Sequence, residues 1–286
     1  MDATLTSKPI AGGLALAALA ADYIAQALAP AWPGACTVEA VTSTVSTSED
    51  LSVRARAQQP TACLLRATDF QTGGRGRHQR AWHAAPGDAL LFSIAIPIAV
   101  VPATLPAVTL ACAVALAESL AANGVVVQIK WPNDIRVSGY KLAGILTELV
   151  SDRSARYTLI IGVGMNFRLD EKTRCAIGQP ATALDQILGT VGEQERERWI
   201  GRLGGAIIGA TMQFCRDGFE PFRDRFNRLL EARGEIVDVL DIDRNDHPGL
   251  SGRVIEVDSC GRLVIESGGK RHCISAGDVS IRAASR

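Results

Sequence analysis

Residues 130–149 read KWPNDIRVSGYKLAGILTEL, and this stretch decides the fold class. A short apolar strand, Val125–Ile129, delivers Lys130-Trp131-Pro132-Asn133-Asp134 into a turn. Ile135–Val137 and Leu142–Val150 then flank Ser138-Gly139, a pair suited to a tight hairpin turn. Tyr157–Val163 follows after the polar run SDRSAR. Two-residue turns join antiparallel strands, whereas parallel neighbours need a long crossover. The middle of the chain therefore predicts an antiparallel sheet.

Working outward, Cys36–Val45 alternates loosely as a strand and enters STSED, Ser46–Asp50, whose hydroxyls before acids suit a helix N-cap. Ala62–Ala67 and Ala89–Pro97 (ALLFSIAIP) are further strands, the second with buried character. A helix is expected from Pro106 to Ala122, stopped by Asn123-Gly124. Helical periodicity returns over Glu193–Glu231, with a break near Asp217-Gly218. Beyond Gly234 the pattern becomes short strands between Asp, Gly and Ser turns, as in a small barrel or sandwich. Ile10–Ala21 has the apolarity of a signal-peptide core, but Asp22 and Tyr23 interrupt it, which favours an Ala-rich helix ending near Pro30. The expected organisation is a leader over 1–35, a main domain over 36–232 and a small β domain over 233–286. The class is α+β with a mixed, mainly antiparallel sheet.

Thirty basic and thirty acidic side chains balance across 286 residues, so no global field holds a polyanion or an anionic membrane. Any anion site must be local. Seven cysteines without a C-x-x-C pair are neither a disulfide framework nor a zinc pattern, and they fit a reducing compartment. The apolar run Val100–Ala117 contains Pro102 and Pro106 and ends at Glu118, which suits a buried helix better than a membrane span.

Three clusters carry chemistry. In GGRGRHQRAW, Gly73–Trp82, glycines admit close backbone approach and arginines supply planar cationic forks for phosphate or carboxylate. The same tract is also compatible with a solvated turn, or with a nucleic-acid patch on which Trp82 stacks a base. Lys130 and Lys141 bracket Asn133-Asp134; Asp134 can hold a metal, accept a proton from an amine, or simply shape the turn beside Lys141. In IGVGMNF, Ile161–Phe167, Gly162 and Gly164 within a strand imply close approach by a ligand or a neighbouring chain. Asn166 offers a donor and an acceptor to an adenine edge or a ribose. No G-x-S-x-G, H-E-x-x-H or Walker A motif is present, and the four histidines form no ligand set by spacing.

In order and spacing these clusters resemble the biotin–protein ligases, whose signatures look like GRGRRGRxW, KWPNDxxxxxxKLAGILxE and IGxGxN. The likeness runs from about residue 38 to 283 and includes the ending GDVSIR. It implies a class II synthetase-like ligase domain followed by an SH3-like barrel. Only about 35 residues precede the first strand, so a monofunctional enzyme lacking the N-terminal DNA-binding domain is expected. The implied reaction joins biotin to ATP as biotinyl-5′-AMP, with magnesium on the phosphates and no metal cage of protein ligands. The biotinyl group then passes to a lysine of a biotin carboxyl carrier domain. A cytoplasmic monomer or homodimer is implied, with neither DNA nor membrane as partner. A lipoate–protein ligase is the nearest alternative.

By position, the resemblance assigns Ser46, Thr47, Ser48, Gln71, Arg75, Gly76, Arg77, Lys141 and Gly144 to biotin. Arg77, Arg80, Trp82, Lys130, Asn133, Lys141 and Asn166 fall to the ATP or adenylate end, with Trp82 and Asn166 facing adenine. Lys141, Asp134 and Arg77 are the expected catalytic groups: Lys141 on the activated carboxylate and phosphate, Asp134 on the acceptor lysine. Three departures stand out. Val45-Ser46-Thr47-Ser48 replaces Asp-Ser-Thr-Asn, with a second register offered by Thr42–Val45. His78-Gln79 replaces Arg-Gly. Phe226 is expected to keep an aromatic platform where relatives carry Trp.

Overall fold

A computed structural model of the chain describes residues 18–189, 194–241, 248–275 and 279–283. Its centre is a seven-stranded sheet in the order β1-β2-β3-β7-β6-β5-β4. The strands are β1 (Cys36–Thr44), β2 (Cys63–Gln71), β3 (Ala89–Ile98), β4 (Gln128–Lys130), β5 (Asp134–Val137), β6 (Tyr140–Ser151) and β7 (Tyr157–Asn166). β1 and β2 run parallel, joined through helix α2 (Thr47–Ala57); the other neighbouring pairs are antiparallel. The mixed, mainly antiparallel class expected from the hairpins is the class observed. The Trp131–Pro132 peptide bond in the β4–β5 turn is cis.

Strand side chains alternate between two faces, and here the faces have different fates. Leu90, Phe92, Ile94 and Ile96 of β3 and Leu159, Ile161, Val163 and Met165 of β7 enter the main core. Helices α1 (Ala21–Leu28), α3 (Val108–Ala121), α6 (Glu195–Asp217) and α7 (Glu220–Leu229) contribute to that core. α3 is apolar on nearly every side because it is buried on nearly every side. On the opposite face, α2 packs Leu51 and Ala55 against Ala95, Val150 and Ile160. Of the hydroxyls in Ser46–Asp50, Ser46 caps α2, its side chain accepting from the Glu49 N–H at 3.5 Å. α2 covers only part of this face, and the remainder floors a cavity.

The C-terminal part is a five-stranded antiparallel sheet in the order β11-β10-β9-β8-β12, built from β8 (Ile236–Asp241), β9 (Pro248–Val257), β10 (Leu263–Ser267), β11 (Lys270–Ile274) and β12 (Val279–Ala283). Asn227 of α7 holds it by two buried hydrogen bonds, donating to Val257 O at 3.0 Å and accepting from the Val257 N–H at 2.7 Å. Val254, Val257, Leu263 and Ile265 share the main core, so apolar packing is continuous across the expected boundary at 232/233.

The leader expected over 1–35 is described only in part. Residues 1–17 lie outside the described residues, but the part from Ala18 onward is not set apart from the main fold. Ile24 and Leu28 are buried in the common core, and the Leu19 N–H donates to Asp69 Oδ2 at 3.3 Å. The sequence signal for this contact lies far away, in Gly201 and Gly205 of α6. A Cβ at Gly201 would lie 2.6 Å from Ala27 Cβ and against the Ile24 carbonyl, and one at Gly205 would lie 2.7 Å from Ala31 Cβ. Two short helices were not anticipated, α4 (Glu171–Ile177) and α5 (Leu184–Leu188).

Gly201→Ala is expected to force α1 off α6 and cost about 1–3 kcal/mol, the usual penalty for overpacking. Chemical denaturation would show it as a lowered midpoint; an unchanged midpoint would mean that α1 is loosely held.

Candidate active site

The uncovered part of the sheet floors a cavity of ≈ 400 Å³. Register explains why it is open. Ala95, Ile160 and Glu148 lie side by side beneath α2. One step along, the row is Ser93, Gly162 and Leu146; the next is Leu91, Gly164, Gly144 and Asp134. Three of these seven positions are glycine, so the floor is largely bare backbone.

Every residue assigned above to biotin, to the adenylate or to catalysis lines this cavity. Ser46, Thr47 and Ser48 come from the start of α2, and Gln71 from the end of β2. The loop holding Arg75, Gly76, Arg77, Arg80 and Trp82 lies at the rim, while Lys130, Asn133, Asp134, Lys141, Gly144 and Asn166 come from β4 to β7. Residues 46–48 line the cavity, whereas Thr44 of the second register donates a 2.8 Å hydrogen bond to Asp50.

The glycines of IGVGMN admit neighbouring side chains. A Cβ at Gly162 would lie 2.5 Å from Ser48 Oγ, and one at Gly164 only 2.7–3.0 Å from three atoms of the Trp82 ring. The indole therefore lies flat on β7, with its N–H buried and without a protein partner. Lys141 Nζ stands 5.8 Å from the Trp82 ring centroid and 2.8 Å from Asp134 Oδ1. The turn-shaping pair foreseen across the hairpin thus exists, and it exists inside the cavity.

Burial pushes the Lys130 ammonium below its usual range; nearby Arg136 and Lys141 act in the same direction and Asp134 and Glu231 oppose it. Arg136 is itself held by Glu231 at 3.0 Å. A partly buried cation with cationic neighbours is stabilised by an incoming anion.

Two amides turn out to be structural supports as well. Asn133 donates to Ile145 O at 3.1 Å, tying the turn to β6. Asn166, expected to offer a donor to a ligand, spends its N–H groups on Thr182 O at 2.9 Å and Lys141 O at 3.4 Å. Its carbonyl remains as an acceptor. Phe226 is corrected outright: it is fully buried, edge-on to Phe219 at 6.3 Å, and makes no cavity wall.

The arginine loop is a compact turn. The Gly76 N–H donates to Arg80 O at 2.8 Å and the Trp82 N–H to Gly74 O at 2.9 Å. His78 and Gln79 sit at φ 53° and 57°, in the left-handed region. The glycine expected at position 79 would adopt this backbone freely; glutamine there costs about 1–2 kcal/mol. Its side chain is used in return, accepting from Arg75 Nη1 at 3.2 Å.

Among the cavity residues that escaped the sequence reading, four stand out: Ser93, Ile177, Gln179 and Ala181. Ser93 left a signal, since it is the hydroxyl inside the apolar strand ALLFSIAIP. The other three arrive by long-range backbone pairing, the Lys141 N–H donating to Pro180 O and the Thr182 N–H to Lys141 O, each at 2.9 Å.

Gly164→Ala is expected to displace the Trp82 ring and lower stability by about 1–3 kcal/mol. Trp82→Ala should remove the clash, so the double variant should be less destabilised than the sum of the two single changes. Additive losses in denaturation would count against the stacked arrangement.

Residues 40–166 match the biotin/lipoate A/B protein ligase family. The biotin–[acetyl-CoA-carboxylase] ligase of Mycobacterium tuberculosis is 29% identical over 250 residues, covering 85% of this chain and 88% of that protein. The bifunctional ligase/repressor BirA of Bacillus subtilis is 36% identical over 132 residues, which are 45% of this chain and 38% of that one. In fold, the chain is similar to the biotin protein ligase of Aquifex aeolicus solved in complex with biotin and ATP, with TM-score 0.70, 23% identity, and coverage of 87% of this chain and 99% of that one. The match to the biotin/lipoate A/B protein ligase family thus spans residues 40–166, and similarity to the Mycobacterium tuberculosis ligase extends along most of the chain.

Proposed function

We propose that the protein is a biotin–protein ligase. It activates biotin with ATP to biotinyl-5′-AMP and transfers the biotinyl group to a lysine of a biotin carboxyl carrier domain. One observation carries this reading: a single cavity joins a hydroxyl-lined end at Ser46–Ser48 to a cationic end at Lys141, Lys130 and the arginine loop. A ligand with a neutral polar ring and an anionic tail matches such a site. The Leishmania major enzyme, similar in fold at TM-score 0.53 and 21% identity, was solved with biotinyl-5-AMP.

In the first step a biotin carboxylate oxygen attacks the α-phosphorus, a P–O bond forms, and pyrophosphate leaves with the electrons of the broken bond. Two anions must meet, so fixed cations govern the barrier. In this reading Lys141 turns from Asp134 toward the carboxylate and α-phosphate, and Lys130 faces the phosphates. Arg75 and Arg77 close over the intermediate. Magnesium bound with the nucleotide would offset phosphate charge, and Asp134, once Lys141 has turned away, is left for the second step. In the second step the acceptor amine attacks the acyl carbon, the C–N bond forms and AMP departs. Asp134 then takes the proton released by the amine.

The reading also includes a catalytic unit over 36–232, a C-terminal unit over 233–286 and a cytoplasmic setting. Seven free cysteines support a reducing compartment. Among the described residues no helix is long and apolar enough to cross a membrane. Lipoate is the alternative that the family description leaves open. The nucleic-acid reading of the arginine loop is less favoured, because Arg75 and Arg77 share their cavity with Lys141.

The deciding measurement is ATP–pyrophosphate exchange, expected with biotin and not with lipoate; the reverse preference would replace this reading. Lys141→Ala should slow adenylation by about 2–4 kcal/mol in barrier, as for other preorganised charge stabilisers. Near-normal pyrophosphate release would remove Lys141 from that role. Arg77→Ala should let biotinyl-AMP escape faster, and unchanged retention in a trapping assay would contradict it.

A further inference from the structure

Beneath the hydroxyl-lined end, four side chains form one continuous hydrogen-bonded row. Gln71 Oε1 accepts from the Thr47 N–H at 2.7 Å and contacts Thr47 Oγ1 at 3.1 Å. Thr47 Oγ1 lies 2.7 Å from Ser93 Oγ, and Ser93 Oγ lies 2.8 Å from Ser48 Oγ. Ser93 is fully buried, and the row lies against β7, since a Cβ at Gly162 would come within 2.5 Å of Ser48 Oγ.

The direction of the protons along this row is determined from one end. Thr47 begins α2, so its N–H has no partner within the helix and must find an acceptor elsewhere. That N–H forces the amide of Gln71 to present its oxygen, because the NH2 group there would set donor against donor. An amide oxygen carries no hydrogen, so the Thr47 hydroxyl donates its only one to Gln71. Thr47 Oγ1 can then only accept from Ser93, and Ser93, its proton spent, can only accept from Ser48. Ser48 is left with its proton turned inward and its lone pairs toward the cavity.

We infer that Ser93 is a positioning residue that makes Ser48 a hydrogen-bond acceptor, so that this end of the cavity selects a ligand by its N–H donors. The inference rests on the proposed biotin reading, in which the donors are the N–H groups of the cyclic urea. It also accounts for a short serine at position 48: the row holds Ser48 from behind, and the selecting atom needs no longer reach.

The test compares biotin with a cyclic-carbamate analogue, in which oxygen replaces a ring N–H, in ATP–pyrophosphate exchange. The unmodified protein is expected to prefer biotin. Ser93→Ala frees the Ser48 proton to point outward and donate. It should raise KM for biotin about tenfold, as for loss of one well-placed hydrogen bond, with KM for ATP and kcat little changed. The preference for biotin over the carbamate should collapse. Ser48→Ala removes the selecting atom itself and should abolish the same preference, so the outcome does not depend on one variant folding. Ser93→Thr, which keeps the hydroxyl, should restore it. Full preference retained in Ser93→Ala or Ser48→Ala, at normal thermal stability, would overturn the inference while leaving the proposed function standing. No biotin-dependent exchange in the unmodified protein would overturn both.

Discussion

The site depends on how little lies on one face of β7. Strand alternation sends Leu159, Ile161, Val163 and Met165 into the core and leaves Ile160, Gly162, Gly164 and Asn166 for the other side. Ile160 is roofed by α2, while Gly162 and Gly164 carry no side chain, so Ser48 and Trp82 can approach the strand backbone itself. A Cβ at either glycine would push back the group it touches. Because strand side chains alternate with period two, the same rows bring Ser93, Leu146, Gly144 and Asp134 alongside. A polar floor and the Lys141–Asp134 ion pair are thereby assembled from four strands.

The electrostatic design is local for the same reason. With thirty charges of each sign, the chain has no net field to attract an anion. The cations are instead concentrated where water is scarce and unlike charges interact more strongly. Lys141 is held by Asp134 and Arg136 by Glu231. Lys130 is pushed below its usual range by burial. The arginine loop adds charge from the rim, held in shape by backbone hydrogen bonds and by the Gln79–Arg75 contact.

Packing ties the two sheets and the N-terminal helix to this site. Trp131, within the KWPND turn, donates its indole N–H to Gly261 O at 3.1 Å, so a turn of the C-terminal sheet supports a turn of the cavity. At the other end, Asp69 of β2 bonds both the Leu19 N–H and Arg196 of α6 at 3.3 and 2.5 Å. Both contacts join segments more than a hundred residues apart in sequence, or join the leader to the sheet. Neither leaves a local pattern.

The sequence by itself determined the strands of the main sheet, the hairpin sense at Ser138-Gly139, a helix N-cap within Ser46–Asp50 and the identity of the cavity-lining motifs. Each of these depends on periodicity, turn chemistry or short contiguous signatures, which act over a few residues. Tertiary structure alone decided what the motif residues touch. Gly162 and Gly164 signalled close approach, but only folding shows that Ser48 and Trp82 approach them. Asn133 and Asn166 look alike in sequence as free amides, yet both are spent on backbone carbonyls. Phe226 went to the core because α7 turns it there, and Ser93 became a partner of Thr47 and Ser48 through sheet register. Residue type limits the hydrogen bonds and contacts a side chain can make; which of them it makes depends on neighbours that only the folded chain supplies.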